Sequence, residues 1–199
     1  MIARRSFTLA TLSALLLAAP ARAQSAEQAT AFVDQLAKAL IAVIDGPLPA
    51  DQKRVQLQQI VDRQVDVDGI ARFCLGRYWR TASPDQQKQY LELFHHVLMT
   101  SITSRMGEYK GVTYTLGRAT PGDGGVTVAS VITRPNQAPA NVGWVVGTLN
   151  GETKILDVIA EGTSLRLTQR SDYAAFITHN GDNVQALLDA MRRQAAQPG

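Results

Sequence analysis

Two carboxylates stand four apart, Asp157 and Glu161, near the end of a β-branched run. On a strand of period two they share a face, which is the placement a general acid/base pair needs. No His or Lys is positioned to join them, and the competing reading is a capping role at a strand-to-helix corner. His95 and His96 are adjacent on a helical stretch, so their side chains diverge by about 100° and do not converge on one metal; His179 is distant in sequence. Asp66-Val-Asp68-Gly69 has the look of a partial calcium loop, but the register would put Gln64 first and Leu75 twelfth. Asp68 reads instead as a helix cap. Arg77, Arg80 and Arg166 are either solvated surface or the rim of a cavity that meets an anionic group. The nucleophile elbow, the P-loop and the dinucleotide glycine pattern are all absent. The expectation is therefore no catalytic residues, no metal and no cofactor.

The elements that would position these residues are legible. Ser83, Pro84 and Gln86 form a helix start with a capping box. Tyr90, Leu91, Phe94, Val97, Leu98, Ile102 and Met106 then recur at helical spacing towards Tyr109. This is the longest amphipathic helix, and a downstream sheet is expected to receive its apolar face. Upstream, Ser25 and Gln28 suggest another capping box, followed by Phe32, Val33, Leu36, Leu40, Ile41 and Ile44. A second helix is expected from about Ala50, burying Leu57, Ile60 and Val61, and a shorter one over about 67–80.

After Gly111 the pattern alternates, as in half-buried strands. Strands are expected over 112–116, 126–133, 141–149 and 153–160, with Asn150-Gly151 as a two-residue hairpin. Leu165 to Thr168 fits a strand extension or a helix start. A helix over 171–179 and a last one capped by Asp182 complete the chain. Helices followed by an antiparallel meander predict an α+β fold: a four-stranded antiparallel sheet with one face covered by helices.

Residues 1–23 read as a cleaved secretory signal peptide: Arg4-Arg5, a short apolar run, and Ala21-Arg22-Ala23 as the cleavage site. The formal charge of +3 then falls to near zero, because the three basic residues removed take no acid with them. Nucleic acid is a poor partner for such a chain. Residues 24–199 are expected to form one exported, soluble domain. Its single cysteine, Cys74, allows no intrachain disulfide and reads as a buried small hydrophobe.

Two blocks are more specific. One is Asp157-Val-Ile-Ala-Glu-Gly-Thr-Ser-Leu165, leading through Thr168-Gln-Arg-Ser-Asp-Tyr173 to Asn180-Gly-Asp-Asn-Val-Gln-Ala-Leu187. The other is Leu75-Gly-Arg-Tyr-Trp79 followed by Ser83-Pro-Asp-Gln86. Together they resemble the MlaC or toluene-tolerance family of periplasmic phospholipid-binding proteins of the Mla system. The resemblance implies a curved, nuclear-transport-factor-like sheet packed on helices, with an apolar lipid cavity between them. It implies phospholipid as cargo, and as partners an outer-membrane lipoprotein–porin complex and an inner-membrane MCE-domain ABC transporter. The work implied is lipid transport that maintains outer-membrane asymmetry, in the periplasm and without enzymatic turnover. A hopanoid-associated branch of the same family is the alternative.

Simple energetics favour a carrier. A diacyl lipid exposes about thirty methylenes, each costing about 0.8 kcal/mol in water, so crossing an aqueous gap calls for an apolar enclosure rather than catalytic groups. Candidate walls are Phe94, Val97, Leu98 and Ile102 of the long helix, with Val128, Trp144, Val146 and Val158 of the sheet. Plain core uses the same residue types. An enzyme on a similar sheet, or an interaction subunit with a solid core, are the other classes.

Overall fold

The computed structural model describes residues 25–196, so the expected signal peptide lies outside the described residues. Six α-helices and a five-stranded sheet follow in the order α1 (Ala26–Asp45), α2 (Ala50–Gln64), α3 (Val67–Leu75), α4 (Pro84–Ser104), β1 (Thr113–Gly122), β2 (Gly125–Thr133), β3 (Ala140–Leu149), β4 (Glu152–Ala160), β5 (Thr163–Ser164), α5 (Leu165–His179) and α6 (Val184–Ala195).

Both expected capping boxes form. The Ser25 hydroxyl accepts from the Gln28 N–H at 3.0 Å, the Ser83 hydroxyl from the Gln86 N–H at 3.2 Å, and each glutamine returns a bond to its cap's N–H. Elsewhere the caps shift by a residue or two. Asp66, not Asp68, caps α3 through the Gly69 N–H; Asp68 lies in the first turn, 3.9 Å from Arg72. Asn183, not Asp182, caps α6, because Asp182 is taken by the Tyr78 hydroxyl. The helix expected over 67–80 breaks at Gly76, whose φ of +60° ends α3 and starts a 3-10 turn over Gly76–Arg80. Likewise α4 stops at Ser104, and a 3-10 turn covers Met106–Tyr109.

The strands form an antiparallel meander, β1-β2-β3-β4-β5. Asn150 and Gly151 both take positive φ, as a tight hairpin between twisted strands requires. Register shifts between Leu116 and Ala119 and between Val145 and Val146 mark bulges that bend the sheet. Four strands were expected. The fifth is the two-residue β5, which pairs Ser164 with Ile159 and Thr163 with Ala160. The chain turns straight from it into α5, so Leu165 begins a helix rather than extending a strand.

Asp157 makes that corner. It is 5% exposed on β4, and its carboxylate accepts from the Ser164 hydroxyl (2.5 Å) and the Arg166 backbone N–H (3.2 Å). The Arg166 guanidinium stands 3.3 Å away and stacks on Phe73. A charge at the first turn of α5 also suits the helix dipole.

One expectation about packing is overturned. The helix laid on the sheet is α1, not α4: Ala29, Val33 and Leu36 bury against Val126, Val128, Val146 and Ile155. The apolar face of α4 is received by α3 and α6, through Tyr90, Phe94 and Met99. Tyr90 is fully buried and donates its hydroxyl to the Ala71 carbonyl at 2.8 Å. With α1 already on the sheet, the stripe on α4 closes a helical layer instead.

Two outcomes follow. Asp157→Asn keeps the shape but loses the charge that anchors α5, and should lower unfolding stability by about 2 kcal/mol; an unchanged urea midpoint would contradict the anchoring role. Cys74 is 1% exposed, and burial, followed by the negative charge of Asp157, pushes its thiol up to about 12. It should stay silent to Ellman's reagent at pH 8 and react fully once denatured, since the thiolate is the reacting form.

Candidate functional site

The eight expected wall residues fall into two apolar clusters. Phe94 is buried in the helical cluster, with Val97, Leu98 and Ile102 half-buried against it. Val128 and Val146 are fully buried in the cluster between α1 and the sheet, where Trp144 and Val158 are half-buried. The register pairs Val128 with Trp144 and Trp144 with Val158, so the sheet residues share one face.

Leu40 of α1, Ile60 of α2 and Val65 just after α2 pack against both clusters. They define a seam between the helical layer and the sheet. Periodicity had marked Leu40 and Ile60 as core; nothing in it distinguished them as bridges. The seam is closed. Two surface depressions, of about 240 Å³ on the outer face of the sheet and about 480 Å³ between α1 and the β1 edge, are lined by none of the eight residues.

The walls are electrically quiet. Among the described residues the buried polar or charged side chains are Ser130 and Asp157. Ser130 donates to the Val142 carbonyl at 3.0 Å and accepts from the Trp144 indole N–H at 2.9 Å, which leaves neither group unpaired. Sequence reasoning missed Ser130, because a serine in an alternating strand reads as solvent-facing. On the helical side Tyr90, Phe94 and Tyr173 stack edge-on or tilted at 5.9–6.5 Å. Burial raises both phenols above their ordinary range, so they stay neutral.

The candidate chemical groups do not converge. Asp157 turns into the α5 corner, whereas Glu161 lies in the following turn at φ +47° and accepts from the Asn141 N–H at 2.6 Å. Both carboxylates are thus held in local backbone roles. His95 meets Asp62 at 2.6 Å, His96 meets the Ala195 carbonyl, and His179 meets the Ala175 carbonyl. Among the described residues no group of three or more His, Cys, Asp or Glu is arranged to hold a metal ion. Arg77 and Arg166 do not meet at one rim, and Arg166 shares the Phe73 ring with Arg170. Arg77 reaches Thr178 and Asp182 at the end of α5, while Arg166 sits at its start, about 18 Å apart at 1.5 Å per residue. No helix among the described residues is long and apolar enough to cross a membrane.

Comparison with known proteins agrees with this architecture. A toluene tolerance protein, ttg2D, from Pseudomonas putida is 27% identical over 143 residues, covering 71% of this chain and 66% of the relative, just under two thirds of its length. The fold matches a phospholipid-binding protein from Ralstonia solanacearum, solved in complex with a phospholipid. That match has a TM-score of 0.72 at 23% identity and covers 84% of this chain and 96% of the other. The family model for the MlaC protein matches residues 45–193, which take in α2 to α5, the whole sheet and most of α6. On that match, and with the two blocks 75–86 and 157–187 inside it, the chain belongs to the MlaC protein family.

Proposed function

We propose that this protein is a phospholipid carrier whose acyl-chain site is the seam between the helical layer and the sheet. The observation that carries the reading is the division of the apolar interior into two clusters that meet at Leu40, Ile60 and Val65. Neither cluster presents an unpaired polar group to the other. Hydrocarbon entering such a seam exchanges protein–protein contacts for protein–lipid contacts of the same kind, at small net cost. The same chains in water cost about 0.8 kcal/mol per methylene. The fold shared with a protein solved with a phospholipid supports this reading.

In this reading Val128, Trp144, Val146 and Val158 form the sheet wall, and Phe94, Val97, Leu98 and Ile102 belong to the helical cluster on the other side of Leu40, Ile60 and Val65. The headgroup stays outside the apolar seam. The carrier works in the periplasm. It moves lipid between an outer-membrane lipoprotein–porin complex and an inner-membrane MCE-domain ABC transporter, and so maintains outer-membrane lipid asymmetry. Near-zero charge after signal removal limits sticking to either membrane. No covalent step is involved, and Asp157 and Glu161 act as structural groups.

Protein purified from cells should release phospholipid on organic extraction, identified by mass spectrometry. Protein that carries none and takes none from vesicles would refute the reading, whereas a hopanoid in the extract would reassign the cargo. Filling the seam gives a second test. Val97→Trp and Val158→Trp should each weaken lipid retention by about tenfold, the scale of a modest overpacking cost. Val55→Trp, on the exposed side of α2 (55% exposed), should leave retention unchanged.

A further inference from the structure

Acyl chains in the seam leave the phosphate end of a lipid outside it, and a cationic site stands close by. Arg166 and Arg170 lie four apart on α5 and so share one face of the helix. Both guanidinium groups stack on a single ring, Phe73 of α3, at 4.5 and 4.9 Å from its centroid. Two cations on one ring repel each other unless anions balance them. One of the two is balanced: Arg166 stands 3.3 Å from the buried Asp157 carboxylate and donates to the Leu156 carbonyl at 3.4 Å. Arg170 has no ion pair among the described residues. It is exposed, yet it is held in place, by the ring and by Gly76, where a Cβ would crowd its Nε at 3.0 Å.

The site adjoins the seam through β4. Val65, one of the three residues that bridge the two clusters, pairs with Ile155, and Arg166 bonds the carbonyl of the next residue, Leu156. The ring beneath both cations belongs to α3, which follows Val65 and Asp66 directly. On α5 itself Leu167, three residues before Arg170, is 57% exposed, so apolar surface flanks the unbalanced charge.

We propose that Arg170, together with Arg166 on the Phe73 ring, binds the phosphodiester of the lipid whose chains lie in the seam. A guanidinium offers paired N–H donors that match phosphate oxygens. The ring restricts its motion beforehand, so less freedom is lost when the anion arrives. Arg166 stays with Asp157 and contributes charge without giving up its structural bond. Because Arg170 is exposed, its contact is a modest one: it orients the lipid with the phosphate towards α5, while the chains supply most of the affinity. The inference rests on the carrier reading, and it assigns the polar end of the cargo.

The test is a competition between lipids. Purified protein is exchanged against vesicles holding equal amounts of phosphatidylglycerol and of diacylglycerol with the same chains, then re-isolated, extracted and analysed by mass spectrometry. Wild type should favour phosphatidylglycerol by about tenfold, the effect of one charge-assisted hydrogen bond. High salt should shrink that preference, because an exposed charge is screened. Arg170→Gln should lose the preference yet load diacylglycerol as well as wild type, which also shows the variant to be folded. Lys88→Gln, at an exposed position on α4, should keep it. A wild type that takes both lipids equally, a preference indifferent to salt, or an Arg170→Gln variant that keeps the preference would overturn the site. Inorganic phosphate that binds wild type in calorimetry, with no preference between the lipids, would make this a site for the free anion and overturn its assignment to the cargo. Protein that loads neither lipid would instead defeat the carrier reading.

Discussion

The contact on which the remaining architecture depends is α1 against the sheet. Ala29, Val33 and Leu36 fill the inner face opposite Val126, Val128, Val146 and Ile155, and the hydrophobic effect rewards that burial whichever helix supplies it. Because α1 occupies the sheet, α4 turns its apolar stripe to α3 and α6. The interior becomes two layers in contact rather than one continuous core. A seam of that kind is a natural place for hydrocarbon, since both of its surfaces are apolar and each layer is supported by packing on its other side.

Polar chemistry is kept out of the seam by pairing. Ser130 satisfies the Trp144 indole and a strand carbonyl together, so an aromatic side chain can line the sheet wall without an unpaired donor. Asp157, the buried carboxylate, anchors α5 through Ser164 and Arg166. Glu161 holds the edge of β3 through Asn141. The groups that looked most like catalysts are thus the groups that fix the frame. The burial of Asp157 follows from the sharp entry of β5 into α5, a corner that needs acceptors for a helix's first N–H groups.

Local rules were readable in the residues alone. The two capping boxes, the Asn150-Gly151 hairpin, the four longer strands and the apolar periodicity of every helix are all short-range, because each depends on backbone geometry within a few residues. Cys74 as a buried small hydrophobe was legible from its apolar neighbours in the chain. Tertiary structure alone decided the rest. Which apolar stripe meets the sheet was invisible, since hydrophobic burial carries no direction and α1 and α4 present similar faces. Asp182, expected to cap α6, meets Tyr78 from a distant part of the chain instead. The eight wall residues were named by type, but their separation into two clusters, bridged by Leu40, Ile60 and Val65, exists only once helices and sheet have been brought together in space.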